Sequence, residues 1–378
     1  MNRRRFLGTL GAGAVIGLAG CSNTVDTAGP TGSDPAPTAT VSTDSTRAAS
    51  LADPDLPLSD AELQRGAAKD AIPAITDPVF GEDWSGVDAS LTDDSRVIGV
   101  AVEGTARAYP LAVLNWHEIV NDTFAGPLLV TYCPLCGSGV TAERRVDGEE
   151  TVFGVSGLLW MSDLVMYDAL TESLWSQVLA KAVQGPKTGT SLALRPSTLT
   201  TWAEWREEFP DTEVLLPPPE SKTVKGEVSR NYDVNPYVGY DQSRRIGISD
   251  GPVDGRLHPK ASVVGIATDE VARAYPLETV QQRGGVVNDT VGNRPVVVAA
   301  TADGSLVAYE RPVDGTTLSF ERDGDALVGG GSRWGIVSGQ ARDGPYRGRF
   351  LTPANDRSPM FWFAWADFYP DSEIFGQG

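Results

Sequence analysis

The stretch ARAYPL stands at residues 106–111 and returns unchanged at residues 272–277. Its surroundings return with it, because VIGVAVEGTARAYPL from Val97 corresponds to VVGIATDEVARAYPL from Val263. Later matches keep the same order, as in TWAEWREEFPDTEVL and FWFAWADFYPDSEIF further along the chain. Self-similarity of this kind indicates that one structural unit occurs twice. The repeat is therefore the feature from which we predict the fold.

Alternating apolar residues predict that each copy consists mostly of strands. GPLLVTYC is such a strand and ends at Cys133, while PSTLTTWAEWREEFP carries Ser and Thr as capping candidates and reads as a helix that stops at Pro210. The expected fold is α+β and strand-rich, with two tandem homologous copies packed as one pseudo-symmetric body. The predicted divisions of this body are a first copy at 52–216, a connecting segment at 217–260 and a second copy at 261–378.

The two copies differ most in residues that could carry chemistry. In the alignment, Cys133 and Cys136 stand opposite Ala300 and Asp303, and the His-Glu pair that follows Trp116 stands opposite two glycines. A Met-containing stretch of the first copy is shortened in the second. Packing alone would have kept apolar equivalents, so this loss indicates one functional site in the first copy. The candidate residues of that site are Cys133, Cys136, His117, Glu118, Met161 and Met166.

The N-terminus has the features of an export signal. Arginines at Arg3, Arg4 and Arg5 precede a small-residue apolar run that is too short to span a bilayer. The arginine pair resembles a Tat signal, and LAGC, which ends at Cys21, resembles a lipoprotein lipobox. Residues 1–21 are thus predicted to be a signal with lipidation at Cys21. A Ser/Thr/Pro/Gly-rich tether at 22–51 would then hold the protein at the outer side of the cell membrane.

Composition restricts the habitat and the partners. The formal net charge is −19, and only six of the 31 basic residues are lysines. An acidic, lysine-poor surface of this kind resembles that of a halophile, where salt screens the self-repulsion. Nucleic acid is an unsuitable partner because phosphate recognition needs a basic face. The chain has no Gly-rich phosphate loop, and Gly137 stands where a haem attachment motif needs His. We therefore expect no nucleotide, flavin or haem.

Several motifs together resemble one family. AYPLAVLNWHEIVNDT, TYCPLCGSGV, DLVMYD, SLWSQ, NYDVNPYVGYD and HPK are similar to the bacterial and archaeal family called domain of unknown function 3179. The resemblance covers most of residues 95–310 and implies an exported domain with a Cys-x-x-Cys segment, here in a lipoprotein of haloarchaeal type. It implies no established activity.

The cysteine pair favours a metal site. Cys-Pro-x-Cys-Gly resembles a zinc knuckle, whose tight turn lets two thiolates converge on one ion. A single knuckle needs other ligands, and His117 is the natural third. The candidates for a further ligand are Glu118, Met161, Met166 and His258. An imidazole and a thioether would favour Cu(I), and a carboxylate would suit Zn. Taken singly, the methionines also fit core packing, and His258 also fits a surface loop.

Two other interpretations of Cys133 and Cys136 remain open. The pair could exchange disulfides with exported proteins, although the Gly-Ser-Gly turn behind it predicts no activating helix N-terminus. It could also form an inert disulfide, which is common outside the cell. The resulting hypotheses are a membrane-anchored protein for metal handling or electron transfer with an extracytoplasmic partner, a thiol-disulfide oxidoreductase, and a non-catalytic surface lipoprotein that binds a ligand between its copies.

Overall fold

The computed structural model describes residues 54–102, 104–248 and 254–377. The fold is strand-rich, with 40% strand and 8% helix, and six small sheets stand in a β-propeller arrangement. The predicted α+β class is therefore wrong, because the helices are too few and too short to form a layer of their own.

The described residues up to Thr223 form eighteen strands and two helices. In chain order they are β1 (Gln64–Arg65), β2 (Ile75–Asp77), β3 (Val79–Gly81), β4 (Arg96–Val102), β5 (Thr105–Pro110), α1 (Leu111–His117), β6 (Ile119–Asp122), β7 (Leu128–Cys133), β8 (Ser138–Glu143), β9 (Arg145–Val146), β10 (Glu149–Glu150), β11 (Phe153–Trp160), β12 (Asp163–Asp168), β13 (Leu174–Ser176), β14 (Lys181–Gln184), β15 (Leu194–Arg195), β16 (Thr198–Thr201), α2 (Trp202–Glu208), β17 (Glu213–Leu216) and β18 (Lys222–Thr223).

The remainder of the described chain is built in the same style from short strands and two helices. These elements are β19 (Ser262–Ala267), β20 (Ala272–Pro276), α3 (Leu277–Gln282), β21 (Val286–Val291), β22 (Arg294–Ala300), β23 (Leu306–Glu310), β24 (Pro312–Val313), β25 (Thr316–Thr317), β26 (Glu321–Asp323), β27 (Ala326–Gly329), β28 (Ser332–Gly335), β29 (Met360–Phe361), α4 (Trp362–Phe368) and β30 (Glu373–Ile374).

The strands combine into six sheets of three or more strands and two short hairpins. The sheet orders are β1-β11-β12-β13-β14, β15-β8-β7-β6-β2-β18, β16-β4-β5-β17-β3, β29-β19-β20-β30, β21-β22-β23 and β26-β27-β28, with β10-β9 and β24-β25 as the hairpins. Most neighbours are antiparallel, as in the pairing of β7 with β8. Chain-adjacent strands make up β21-β22-β23 and β26-β27-β28 entirely, whereas the larger sheets also pair strands that are distant in the chain. The two sheets that matter for the site are the first two.

The helices are short because local sequence limits them. Helix α1 starts after Pro110 and ends at Glu118, whose left-handed backbone (φ 59°) turns the chain into β6. Helix α2 begins at a capping box in which the Thr201 side chain accepts from the Glu204 backbone N–H and the Glu204 side chain accepts from Thr201 N–H. The predicted helix with its Thr cap is therefore confirmed, at Trp202–Glu208.

The hydrophobic core joins the two predicted copies. One cluster of buried residues contains Cys133 and Trp175 from the first segment together with Val263, Trp362 and Phe368 from the second. Both segments therefore bury apolar faces in a shared core. The prediction of a two-copy α+β body is wrong because the small sheets stand in a β-propeller arrangement. The residues that we assigned to a connecting segment also reach this core, through Ile246.

The predicted signal and tether lie outside the described residues. This holds for Arg3, Arg4, Arg5 and Cys21 and for the whole of 22–51. Among the residues that are described, no helix has the length and apolar character needed to cross a membrane.

Candidate metal centre

The two cysteines lie in the loop between β7 and β8. Cys133 is the last residue of β7 and pairs with Ser138, so the chain reverses over the four residues from Pro134 to Gly137. Gly137 has a φ of +62°, and a Cβ there would lie 3.0 Å from the ring of Phe361. The tight turn brings the Cys136 backbone N–H to the sulfur of Cys133, at 3.3 Å. The predicted strand end is confirmed, but the turn precedes the predicted Gly-Ser-Gly segment, since Ser138 and Gly139 already belong to β8.

Both cysteines are free thiols and both are buried. Burial raises the pKa of the Cys136 thiol well above its ordinary value, and Cys133 and Asp163 raise it further. The Cys136 thiol is therefore neutral without a metal, and a metal ion would have to displace its proton.

A second hairpin faces the thiols. Strands β11 and β12 pair up to Trp160 and Asp163, which leaves Met161 and Ser162 as a two-residue turn. Both turn residues have positive φ, 52° and 66°, as a type I′ turn requires. Left-handed non-glycine residues are strained and persist where the surroundings hold them. The turn aims the Ser162 carbonyl oxygen at Sγ of Cys136, 3.4 Å away, and at Sγ of Cys133, 3.7 Å away.

Asp163 supplies the third donor. One carboxylate oxygen of Asp163 and the sulfur atoms of Cys133 and Cys136 all lie within 4.8 Å of one another. Burial raises the pKa of Asp163 to about 7. The carboxylate is held by Ser176, whose Oγ donates at 2.5 Å, and by the backbone N–H of Val178 at 3.2 Å. These bonds fix the orientation of the ligand before any ion binds.

Our sequence reasoning missed Asp163. The chain has 50 acidic residues, so a carboxylate in the sequence does not by itself indicate a site. The available signal was its position, since Asp163 lies in the Met-containing stretch that is shortened in the second copy.

His117 lies outside this group of three donors. Its Nδ1 is 2.7 Å from the carbonyl oxygen of Pro73 and its Nε2 is 2.9 Å from the hydroxyl of Tyr232. A carbonyl can only accept, so Nδ1 carries the proton and Nε2 accepts from the tyrosine. Burial lowers the pKa of His117 to about 4, which keeps the ring neutral. Both ring nitrogens are therefore used in holding the fold together.

The other predicted site residues are scattered. Glu118 is buried at the end of α1, and its burial raises the pKa of the carboxyl group to about 8. Met161 is 37% exposed, whereas Met166 is buried in the core cluster that contains the cysteines. His258 is half-buried and accepts a hydrogen bond from the Lys260 backbone N–H at Nδ1. The structure thus brings Cys133 and Cys136 together with Asp163. The other four predicted residues, Glu118, Met161, Met166 and His258, lie outside this group.

A segment of residues 231–248, which we call the cover, lies over the site. Gly247 packs against Ser162 so closely that a Cβ there would lie 2.5 Å from the Ser162 Oγ. Burial raises the pKa of Tyr240, and the nearby Cys136 and Cys133 contribute to the same shift. Lys260 makes two contacts with the cover. Its Nζ donates to the carbonyl oxygen of Arg245 at 2.5 Å and lies 3.9 Å from the centre of the Tyr240 ring. The centre is therefore shielded from water.

The donor set has a definite chemical preference. Two thiolates and one carboxylate suit a borderline divalent ion such as Zn²⁺, with sulfur and oxygen ligands together. The carbonyl oxygen of Ser162 adds a further hard donor next to the sulfurs. The thioether and imidazole that would favour Cu(I) are absent from the group of donors found among the described residues.

Fold and site together define a β-propeller protein with a buried candidate metal centre. Residues 69–372 match the model of a family described as Protein of unknown function (DUF3179). The chain belongs to this family, as the sequence motifs predicted. The match does not bear on lipidation or on a haloarchaeal origin, which stay predictions. Neither a search of curated proteins nor a search of solved structures found a match.

Proposed function

We propose that this protein binds a transition metal ion through the thiolates of Cys133 and Cys136 and the carboxylate of Asp163. The observation that carries the proposal is the convergence of these three donor atoms within 4.8 Å of one another. All three residues are buried, and buried groups that could become charged are costly unless an ion or a partner compensates them. A divalent cation would provide that compensation.

Zinc is the ion that we propose. The donors combine sulfur with oxygen, and Zn²⁺ accepts both in tetrahedral geometry. The three side-chain ligands leave a fourth position, which the neighbouring Ser162 carbonyl oxygen or a small ligand would fill. Zinc undergoes no redox change, so metal handling or Lewis-acid chemistry is favoured here over the electron transfer that the sequence also allowed.

Thiol-disulfide exchange is less well supported by the same geometry. Such exchange needs an accessible thiolate with a lowered pKa. Cys133 and Cys136 are each only 1% exposed, and burial raises the pKa of Cys136. The geometry therefore favours metal binding over thiol-disulfide exchange.

The cellular setting is proposed from sequence alone. Lipid on Cys21 would anchor the protein to the membrane, and the export signal would place the metal centre outside the cytoplasm. An extracytoplasmic partner that delivers or receives the ion would then have to displace the cover.

Metal content decides the proposal. The full-length protein, purified in high salt without chelator and loaded with Zn²⁺, should retain about one equivalent by elemental mass spectrometry. Cys133→Ser combined with Cys136→Ser should remove it while leaving the circular dichroism spectrum unchanged. Wild-type protein that retains no ion after loading, with both thiols titrating as free, would refute the proposal.

A further inference from the structure

A second candidate site lies away from the cysteines. A cavity of about 420 Å³ opens between β4 and β16 on one side and β23 on the other. Aromatic side chains form much of its wall, namely those of Trp205, Phe209, Tyr309 and Phe350. Cavities of this size are typical of small-molecule sites in proteins. None of the three proposed metal ligands lines it, so this site is independent of the metal centre.

The described part of the wall carries no charge. None of the lining residues that the structure describes is Asp, Glu, Lys, Arg or His, although the chain has 31 basic and 50 acidic residues. A charged ligand would lose its hydration without gaining an ion pair in such a cavity. The electrostatics of the wall therefore fit an uncharged and mostly apolar molecule.

One polar group in the wall has no partner. Ser197 lines the cavity, and its hydroxyl is buried without a hydrogen bond to any described residue. Two other polar groups of the wall are already engaged, because the Tyr309 hydroxyl lies 2.8 Å from the carbonyl oxygen of Ile336 and the Ser338 hydroxyl donates to Glu208. A buried hydroxyl without a partner costs free energy that a ligand acceptor would recover. Ser197 thus supplies a donor for one oxygen of the ligand.

We propose that this cavity binds an uncharged, mostly apolar organic molecule that carries a hydrogen-bond acceptor of the ketone type, with Ser197 as the donor. Phe350 lines the cavity and is 51% exposed, so its ring lies where such a molecule would enter. The apolar body of the ligand packs against Trp205 and Phe209, and its oxygen turns to Ser197. This assignment goes beyond the metal proposal and stands or falls separately from it.

Benzophenone is a suitable probe because it is uncharged, carries one carbonyl oxygen and attaches covalently to neighbouring C–H groups under ultraviolet light. Diphenylmethane has the same shape without the oxygen. Irradiation of full-length protein with benzophenone should label cavity residues saturably, with about one label per chain, as mapped by peptide mass spectrometry. Diphenylmethane should compete more weakly, by about threefold to tenfold, which is the worth of one hydrogen bond.

Three variants test the residues. Ala101 lines the cavity and is exposed, so Ala101→Phe fills the space without touching the core and should reduce labelling at least tenfold. Ala193→Phe is the control, because Ala193 is equally an exposed alanine but lies outside the cavity wall. Ser197→Ala should bind benzophenone and diphenylmethane equally well.

The proposal is overturned if labelling does not saturate, if it scatters outside the cavity, or if Ala101→Phe is labelled like the wild type. Equal competition by the two probes in the wild type would remove the role of Ser197 and with it the ketone class of ligand. Loss of zinc binding would not change the labelling of the cavity by benzophenone, since the cavity wall contains neither cysteine nor Asp163.

Discussion

The sulfur of Cys136 lies 3.4 Å from the backbone carbonyl oxygen of Ser162, and the sulfur of Cys133 points at the same oxygen from 3.7 Å. One carbonyl has two lone pairs and can accept from both thiols. The tip of the β11-β12 hairpin therefore holds the two sulfurs side by side while they are protonated. The cover contributes to the position of this carbonyl group, because Gly247 packs closely against Ser162.

Gly247→Ala should expose the thiols. The added Cβ would lie 2.5 Å from Ser162 Oγ, and the backbone at Gly247 is left-handed with φ +33°. Overpacking costs about 1–3 kcal/mol, which corresponds to roughly fivefold to 150-fold more frequent opening of the cover. Alkylation of Cys133 and Cys136 by N-ethylmaleimide, followed by mass spectrometry, should accelerate by that factor.

The chain offers a matched control and a rescue for this change. Gly239 lies in the same cover with φ +75°, but a Cβ there would meet nothing within 4 Å. Gly239→Ala adds backbone strain without the clash, so it should accelerate alkylation much less than Gly247→Ala. Replacing Ser162 by Gly in the Gly247→Ala background should restore part of the protection, and equal labelling rates in all variants would show that the cover does not protect the thiols.

Glu118→Gln should stabilise the protein at alkaline pH. Burial raises the pKa of Glu118 to about 8 from 4.5, so the wild type loses stability as the pH rises through that interval and the carboxyl group must ionise. Glutamine has the same shape and no proton to lose. The free energy of unfolding in urea should be similar for both proteins at pH 4 and higher for the variant at pH 9, by an amount on the order of several kcal/mol.

Glu149→Gln is the control for this measurement, because Glu149 is exposed in the short β10 strand. It should leave the pH profile unchanged. A wild-type-like profile for Glu118→Gln would mean that the Glu118 carboxyl group ionises normally in the folded protein.

His117→Ala should destabilise the protein without removing the metal. The change leaves the Pro73 carbonyl and the Tyr232 hydroxyl without their partner, which costs about 1–3 kcal/mol for each buried polar group left unpaired. Zinc stoichiometry should stay at that of the wild type. His258→Ala, which replaces a half-buried histidine, should change neither quantity. Loss of zinc from the His117→Ala protein at retained stability would instead support the sequence prediction that His117 is a ligand.

Local structure could be predicted well from the sequence. The strand that ends at Cys133, the returning strand from Ser138 and the helix from Trp202 all follow from patterns within about fifteen residues of one another. Close packing of two glycines against tryptophans agrees with the sequence alignment of the two copies. Gly99 lies under the Trp205 ring and Gly265 under the Trp365 ring, and the repeat aligns these two tryptophans.

The assembly of the sheets could not be predicted in the same way. Strand β2 pairs with β6 and also with β18, far along the chain, and β17 pairs with both β5 and β3. These strands have only two to six residues each, too few for a periodic signal. The pairing partners are therefore decided by tertiary packing, and the repeat alone suggested an α+β body of two copies where small sheets stand in a β-propeller arrangement. The third donor of the site was missed for a related reason, since only the register of β11 with β12 carries Asp163 to the thiols.

Asp163→Asn should weaken zinc binding while the fold survives. Because burial raises the pKa of Asp163 to about 7, a neutral amide of the same shape is tolerated in its place, and its oxygen can still accept from the Val178 N–H. The variant loses one anionic ligand, so we expect an affinity loss of at least about tenfold, which even supporting partners of ligands can cause. Competition with a chromophoric chelator measures the affinity, and Co²⁺ substitution reports the thiolate ligands by their charge-transfer absorption.

Asp168→Asn is the matched control, since Asp168 is buried on the same strand but accepts from Trp175 Nε1 and Thr171 instead of facing the thiols. Asp168→Asn should lower stability and leave zinc affinity unchanged, because its partners belong to the core. Unchanged affinity in Asp163→Asn would restrict the protein ligands to the two cysteines, whereas weakening by both variants alike would assign the effect to the fold.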